Sequence, residues 1–155
     1  MKKRTKRKVY KLVDPIKMAM MGAAVAHKEV IDKVRIKELI AIDDFYKGNA
    51  NLESWRMLTG MNNIAMTFAD EGVGIEAKEP CLVLEEALLE AAARFEKTGK
   101  MGLTGLGLNA AREVQKLHDL QRISITRGEY EKLLDKTENI LRSKGKQVKE
   151  IALCT

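Results

Sequence analysis

Little in this chain points to chemistry. Its 155 residues include two cysteines, two histidines, two prolines and one tryptophan, and aromatics make up only 5%. Cys81 and Cys154 stand far apart, without a CxxC pair, and only His27 and His118 could assist them. A structural zinc site draws on about four ligands, usually in two close pairs, so no metal is expected. Nothing forces a disulfide, and a reducing cytoplasm is the expected compartment. No window of about twenty apolar residues occurs, which argues against a membrane-spanning helix. The glycines match neither the phosphate loop GxxxxGK[ST] nor a GxGxxG that follows a strand. With no nucleophile–base pair either, no enzyme activity and no cofactor are expected.

What the chain does have is helix-forming residues and an uneven charge. Few prolines and aromatics beside much Ala, Leu, Met, Glu and Lys predict an all-α fold. The chain is 45% hydrophobic and 32% charged, which fits one folded domain with a continuous core. The eight methionines suit core filling better than an open contact surface. Seven cations and no acid lie in residues 1–11: Lys2, Lys3, Arg4, Lys6, Arg7, Lys8 and Lys11. The last fourteen residues carry Arg142, Lys144, Lys146 and Lys149 against Glu150, a net +3. Of the overall +6, these ends hold +7 and +3, which leaves the body at −4.

The leading eleven residues offer no apolar face and read as a solvated arm. Two readings stay open: contact with a polyanion, or a solubilising tail. A secretion signal is disfavoured, because Asp14, Pro15 and Lys17 interrupt what would be its apolar stretch. Asp14 as N-cap and Pro15 at N1 open a short helix through about Ala26. The next helix spans Glu29 to Lys47, with Ile31, Val34, Ile42 and Phe45, and Leu39 and Tyr46 beside them, in a broad apolar stripe, and Gly48 as its stop. Lys33, Arg35, Lys37 and Glu38 fall off that line and read as a solvated surface.

Asn51 and Ser54 open a third helix over Leu52–Asp70, apolar on two faces and therefore central. Trp55 is expected in the core, and one of Asn62 and Asn63 near it with its amide satisfied. The Met-rich side of this helix is a candidate surface for a homodimer. After Glu71–Gly74 a fourth helix starts between Glu76 and Pro80 and ends at Lys97-Thr98-Gly99. Leu84, Leu88, Ala91 and Phe95 form its inner face. The stretch Thr98–Gly107, with glycines at 99, 102, 105 and 107, reads as a linker that exposes Met101, Leu103 and Leu106.

A fifth helix is expected over Asn109–Ile125, burying Ala110, Val114, Leu117 and Gln121. His118-Asp119 matches the His-Asp pair of metal phosphohydrolases, but those sites need further histidines, so a helix-surface position is expected. Thr126 and Glu129 form a capping box for the sixth helix, with Ile125 and Tyr130 as its hydrophobic staple. Gly145 is the expected stop of that helix. The architecture expected is thus a single compact bundle of about six helices. It comprises a flexible basic arm over 1–13, a helical domain over 14–145 and a tail over 146–155.

Across residues 45–140 the chain resembles small helical proteins encoded by proteobacterial phages, prophages and plasmids. The residues that carry the resemblance are Lys47-Gly48, Asn51, Asn62-Asn63, Thr98-Gly99-Lys100, Leu117-His118-Asp119-Leu120-Gln121 and Thr126…Glu129-Tyr130-Glu131. Some such proteins are labelled transcriptional regulators; no activity accompanies the resemblance, so it implies no functional residues. Together with the composition it implies a non-enzymatic accessory protein of a mobile element. Such a protein would act by stoichiometric binding to a host protein or nucleoprotein complex, as a defence or anti-CRISPR inhibitor does. The alternative is a nucleic-acid-binding regulator that uses the arm, without sequence specificity. The candidate contact residues are the seven arm cations with Lys100, Arg142 and Lys144.

Overall fold

The structure, a computed structural model, describes residues 28–153 and the side chains of residues 31–144. The chain forms α1 (Lys28–Lys47), α2 (Leu52–Asp70), a 3-10 turn (Ile75–Ala77), α3 (Lys78–Thr98), α4 (Gly105–Ile123) and α5 (Arg127–Leu153). Among the described residues there are five α-helices and no strand, so the fold is all-α. The sixth helix expected, over Asp14–Ala26, lies outside the described residues, as do the arm and Cys154.

Local chemistry explains most of the helix ends. Gly48 sits at φ +77° and Gly99 at φ +70°, left-handed positions that close α1 and α3 without a Cβ penalty. At the start of α2 the Asn51 Oδ1 accepts from the Ser54 N–H at 3.0 Å, and the Ser54 hydroxyl accepts from the Asn51 N–H at 3.3 Å. The Thr126–Glu129 box is present too, with both reciprocal bonds at 3.3 Å. Some boundaries depart from expectation, among them the end of α4, which lies at Ile123 rather than Ile125. Helix α4 begins at Gly105, four residues early, because the Thr104 hydroxyl caps it by accepting from the Gly107 N–H at 3.1 Å. Helix α5 runs through Gly145 to Leu153. A helical glycine costs only about 1 kcal/mol relative to alanine, and the helix formers from Lys146 to Leu153 outweigh it.

Helix α2 is central: α1, α3, α4 and α5 all pack on it. Its Leu58, Met61, Ala65 and Ala69 are buried in one cluster with Ala41, Ile42 and Phe45 of α1, Leu84, Leu88 and Ala91 of α3, and Ala110, Ala111 and Val114 of α4. The Trp55 Nε1–H donates to the Leu88 carbonyl at 2.9 Å, which ties α2 to α3. Met61 is buried and Met57 and Met66 are half-buried against the same core, so the Met-rich side read as a candidate dimer surface is turned largely toward the core. Helix α5 packs chiefly on α2, where the Phe68 and Tyr130 rings meet edge to face at 5.8 Å. Its later residues Ile140 and Leu141 remain exposed.

Candidate functional site

The densest polar chemistry lies where α1 crosses α4. Helical spacing puts Gln115, His118 and Arg122 on the stripe that follows Ala111, beside the Val114 and Gln121 stripe, and both stripes are buried. Glu38 of α1 is 2% exposed and accepts from Arg122, which is 1% exposed. Arg122 also donates to Asp119 at 3.0 Å. The same carboxylate accepts from Arg35 Nε and from the Gln115 amide, each at 2.8 Å. Burial pushes the Glu38 carboxyl above its ordinary value, and the Arg122 cation beside it offsets only part of that. Glu38 is therefore no part of a solvated surface; the charged run Lys33–Glu38 wraps far enough round α1 to bring its last member under α4.

One turn along, His118 is fully buried, which corrects its expected surface position. The Gln121 amide nitrogen donates to the carbonyls of Ala65 at 3.1 Å and Val73 at 2.9 Å, so its Oε1 is left to accept. His118 Nδ1 lies 2.8 Å from that oxygen and must carry the proton, which leaves Nε2 bare; Nε2 has no protein partner. Burial, reinforced by the Arg122 cation, lowers the His118 pKa to about 4, so the ring is neutral at pH 7. Phe68 packs edge to face on it at 5.4 Å. This relay holds the Val73–Gly74 loop to α4, and Gly74 at φ +62° is required there because a Cβ would lie 2.7 Å from the Gln121 Cγ.

These side chains face one another. Neither Glu38, His118, Asp119 nor Arg122 lines the larger clefts. A cleft of about 500 Å³ between the 3-10 turn and α4 is lined by Ile75, Leu117, Leu120 and the already engaged Gln121. Cys81 is buried beneath α2, and burial pushes its thiol up to about 12, so it is no nucleophile at neutral pH. Among the described residues no group of three or more His, Cys, Asp or Glu side chains could hold a metal ion. No described helix is long and apolar enough to cross a membrane.

The structure does not gather the contact residues read from sequence. Lys2, Lys3, Arg4, Lys6, Arg7, Lys8 and Lys11 lie outside the described residues. Lys100 is exposed in the short linker between α3 and α4. Met101 of that linker is buried and only Leu106 is fully exposed, so the stretch is anchored rather than an open apolar loop. Arg142 pairs with Glu138 at 2.6 Å along α5. Lys144 is exposed beside a small cavity that Asn62, Asp70, Glu85 and Thr137 also line. Asn62 is the buried member of its pair and donates to the Cys81 carbonyl at 3.1 Å. No hydrogen bond or ion pair joins Lys100 to Arg142 or Lys144 among the described residues. No protein family, curated protein or solved structure matches the chain.

Proposed function

We propose that this protein is a cytoplasmic, non-enzymatic accessory protein of a phage or other mobile element that binds a host nucleoprotein complex stoichiometrically, in the manner of a defence inhibitor. The observation that carries the reading is the division of charge: +7 in the first eleven residues and +3 in the last fourteen, around a body of −4. Such a molecule can offer a polyanion its ends and a protein its helical faces. The buried polar residues of α4 are compatible with the reading, since they hold helices together. Removing residues 1–11 and measuring both duplex binding and inhibition of a host nucleoprotein complex is the test. Inhibition that survives loss of duplex binding places the activity in the helical body; loss of both places it in the arm.

Non-specific nucleic-acid binding through the arm is the second reading, favoured by the density of cations there. If five to seven phosphates are neutralised, log K falls against log salt with a slope of about −4.5 to −6. A base-reading role for α4 has little support: Gln115, Gln121 and Arg122 are buried in the core, which leaves Asn109, Arg112 and Lys116 as its exposed side chains of the types that reach base edges.

A further inference from the structure

Helix α1 carries a run of exposed apolar residues. Ile36 is 54% exposed, Leu39 43% and Ile40 55%, although the opposite side of the same helix is core. Elsewhere Leu120 and Ile123 of α4 are also exposed one turn apart, Leu120 sharing its cleft with Ile75, whereas Leu82 and Leu89 of α3 lie two turns apart with Glu85 and Glu86 between them. On α1 the outward residues Lys33, Ile36, Ile40, Asp43 and Lys47 succeed one another at intervals of 3, 4, 3 and 4 residues. That is the spacing of a coiled-coil seam. From the structure we infer that α1 pairs with α1 of a second copy, antiparallel, across this seam.

Charge selects both the occupant and the direction. In a parallel pair each seam residue meets its own copy, setting Lys33 on Lys33 and Asp43 on Asp43. In the antiparallel pair Ile36 of one copy meets Ile40 of the other, and Lys33 of one meets Asp43 of the other, twice by symmetry. Lys33 has no ion-pair partner among the described residues, and Asp43 pairs only with Lys47 of its own helix, at 2.7 Å. The seam is thus complementary to itself and poorly suited to a uniformly charged surface.

Size sets the strength. A 20-residue helix is about 30 Å long and about 10 Å wide, so it covers roughly 300 Å² per partner. A stable interface covers about 800 Å² per partner. The pairing is therefore weak and concentration-dependent. The two copies enter α1 roughly 30 Å apart along the pair, so a dimer would present two basic ends to one target. The pairing itself does not depend on what the arm binds.

Sedimentation equilibrium of the full chain, from micromolar to near-millimolar concentration, tests the inference. The expected result is a reversible monomer–dimer equilibrium. Lys33→Asp or Asp43→Lys alone weakens it roughly tenfold through like-charge contacts, Ile40→Asp abolishes it, and Lys33→Asp combined with Asp43→Lys restores it. All three positions are exposed, so helical circular dichroism should be unchanged. A monomer throughout the range, a dimer indifferent to Ile40→Asp, or a double charge swap that fails to restore association overturns the proposal. In a monomer, slow thiol labelling of Ile40→Cys, located by peptide mass mapping, would show instead that the chain's own leading segment covers the seam.

Discussion

Helix α4 has two working sides that are built on different principles. Toward α3 it is nearly bare: Gly107 lies against Ala87, and a Cβ at position 107 would stand 2.6 Å from the Ala87 Cβ, so the two backbones meet closely. Toward α1 it is charged: Arg122 reaches Glu38 and Asp119, with Arg35 closing the network at the surface. The first contact is non-directional and tolerates nothing larger. The second is directional and sets the register of α1, because a buried guanidinium must find its acceptors. A helix held this way is located by shape on one side and by hydrogen-bond geometry on the other.

Breaking the charged side should have the largest effect. Arg122→Ala strands the Glu38 carboxyl in the interior, with an expected loss of about 3–5 kcal/mol in denaturant unfolding. Replacing both partners, Glu38→Leu with Arg122→Met, should recover most of that loss, since a buried pair is often no better than an apolar pair of similar volume. A double variant as unstable as the single one would mean that the pair itself does not position α1.

Acid should act next, through His118. Its folded pKa of about 4 lies below the ordinary 6.5, so the fold stabilises the neutral ring. That contribution is complete above pH 6.5 and is lost as pH falls toward 4, a change of about 3 kcal/mol. Glu38 works in the opposite sense. Its raised pKa favours the protonated form, so its contribution is complete below 4.5 and is lost as pH rises through its folded value. His118→Asn keeps a donor for Gln121 and removes the titration, so unfolding measured from pH 7 to pH 4 should lose the His118 decline and keep the Glu38 trend. An unchanged decline would assign it to other groups.

The close-packed side is tested by Gly107→Ala. Helix propensity alone favours alanine by about 1 kcal/mol. The collision with Ala87 should overturn that sign and leave a net loss of about 1–2 kcal/mol in thermal or chemical unfolding. A stabilised variant would show that α3 and α4 have room to spare. Smallest is Trp55→Phe, which removes the bond to the Leu88 carbonyl and should cost about 1 kcal/mol. Because that contact joins α2 to α3, its loss should leave the pH response of the α1–α4 side untouched.

The contrast between these sides also marks how far the chain could be read in advance. Helix class and most ends were legible, because Asn51, Gly48, Gly99 and the Thr126–Glu129 box act within a few residues of themselves. The start of α4 is not legible in the sequence, because glycines at 105 and 107 look like a break until Ala87 is seen opposite. Glu38 and His118 read as surface residues, and Arg122 carries no local signal of its own, for a different reason. A charged residue off the apolar line is ordinarily solvated, and only the crossing of α1 over α4, 84 residues apart in the chain, pairs Glu38 with Arg122. One signal was present: Gln115, His118 and Arg122 continue at helical spacing from Ala111, so α4 carries a second stripe with polar members.

By itself, then, the sequence determined the five described helices, the caps that start and stop most of them, and the separation of cationic ends from an acidic body. All of these depend on neighbours within a turn or two, or on composition alone. Only tertiary packing decided which charges are interior, which proton His118 carries, why Gly107 must be glycine, and that the outward seam of α1 is left uncovered by the rest of the described body. Those outcomes depend on which helix lies opposite, and no local pattern carries that information.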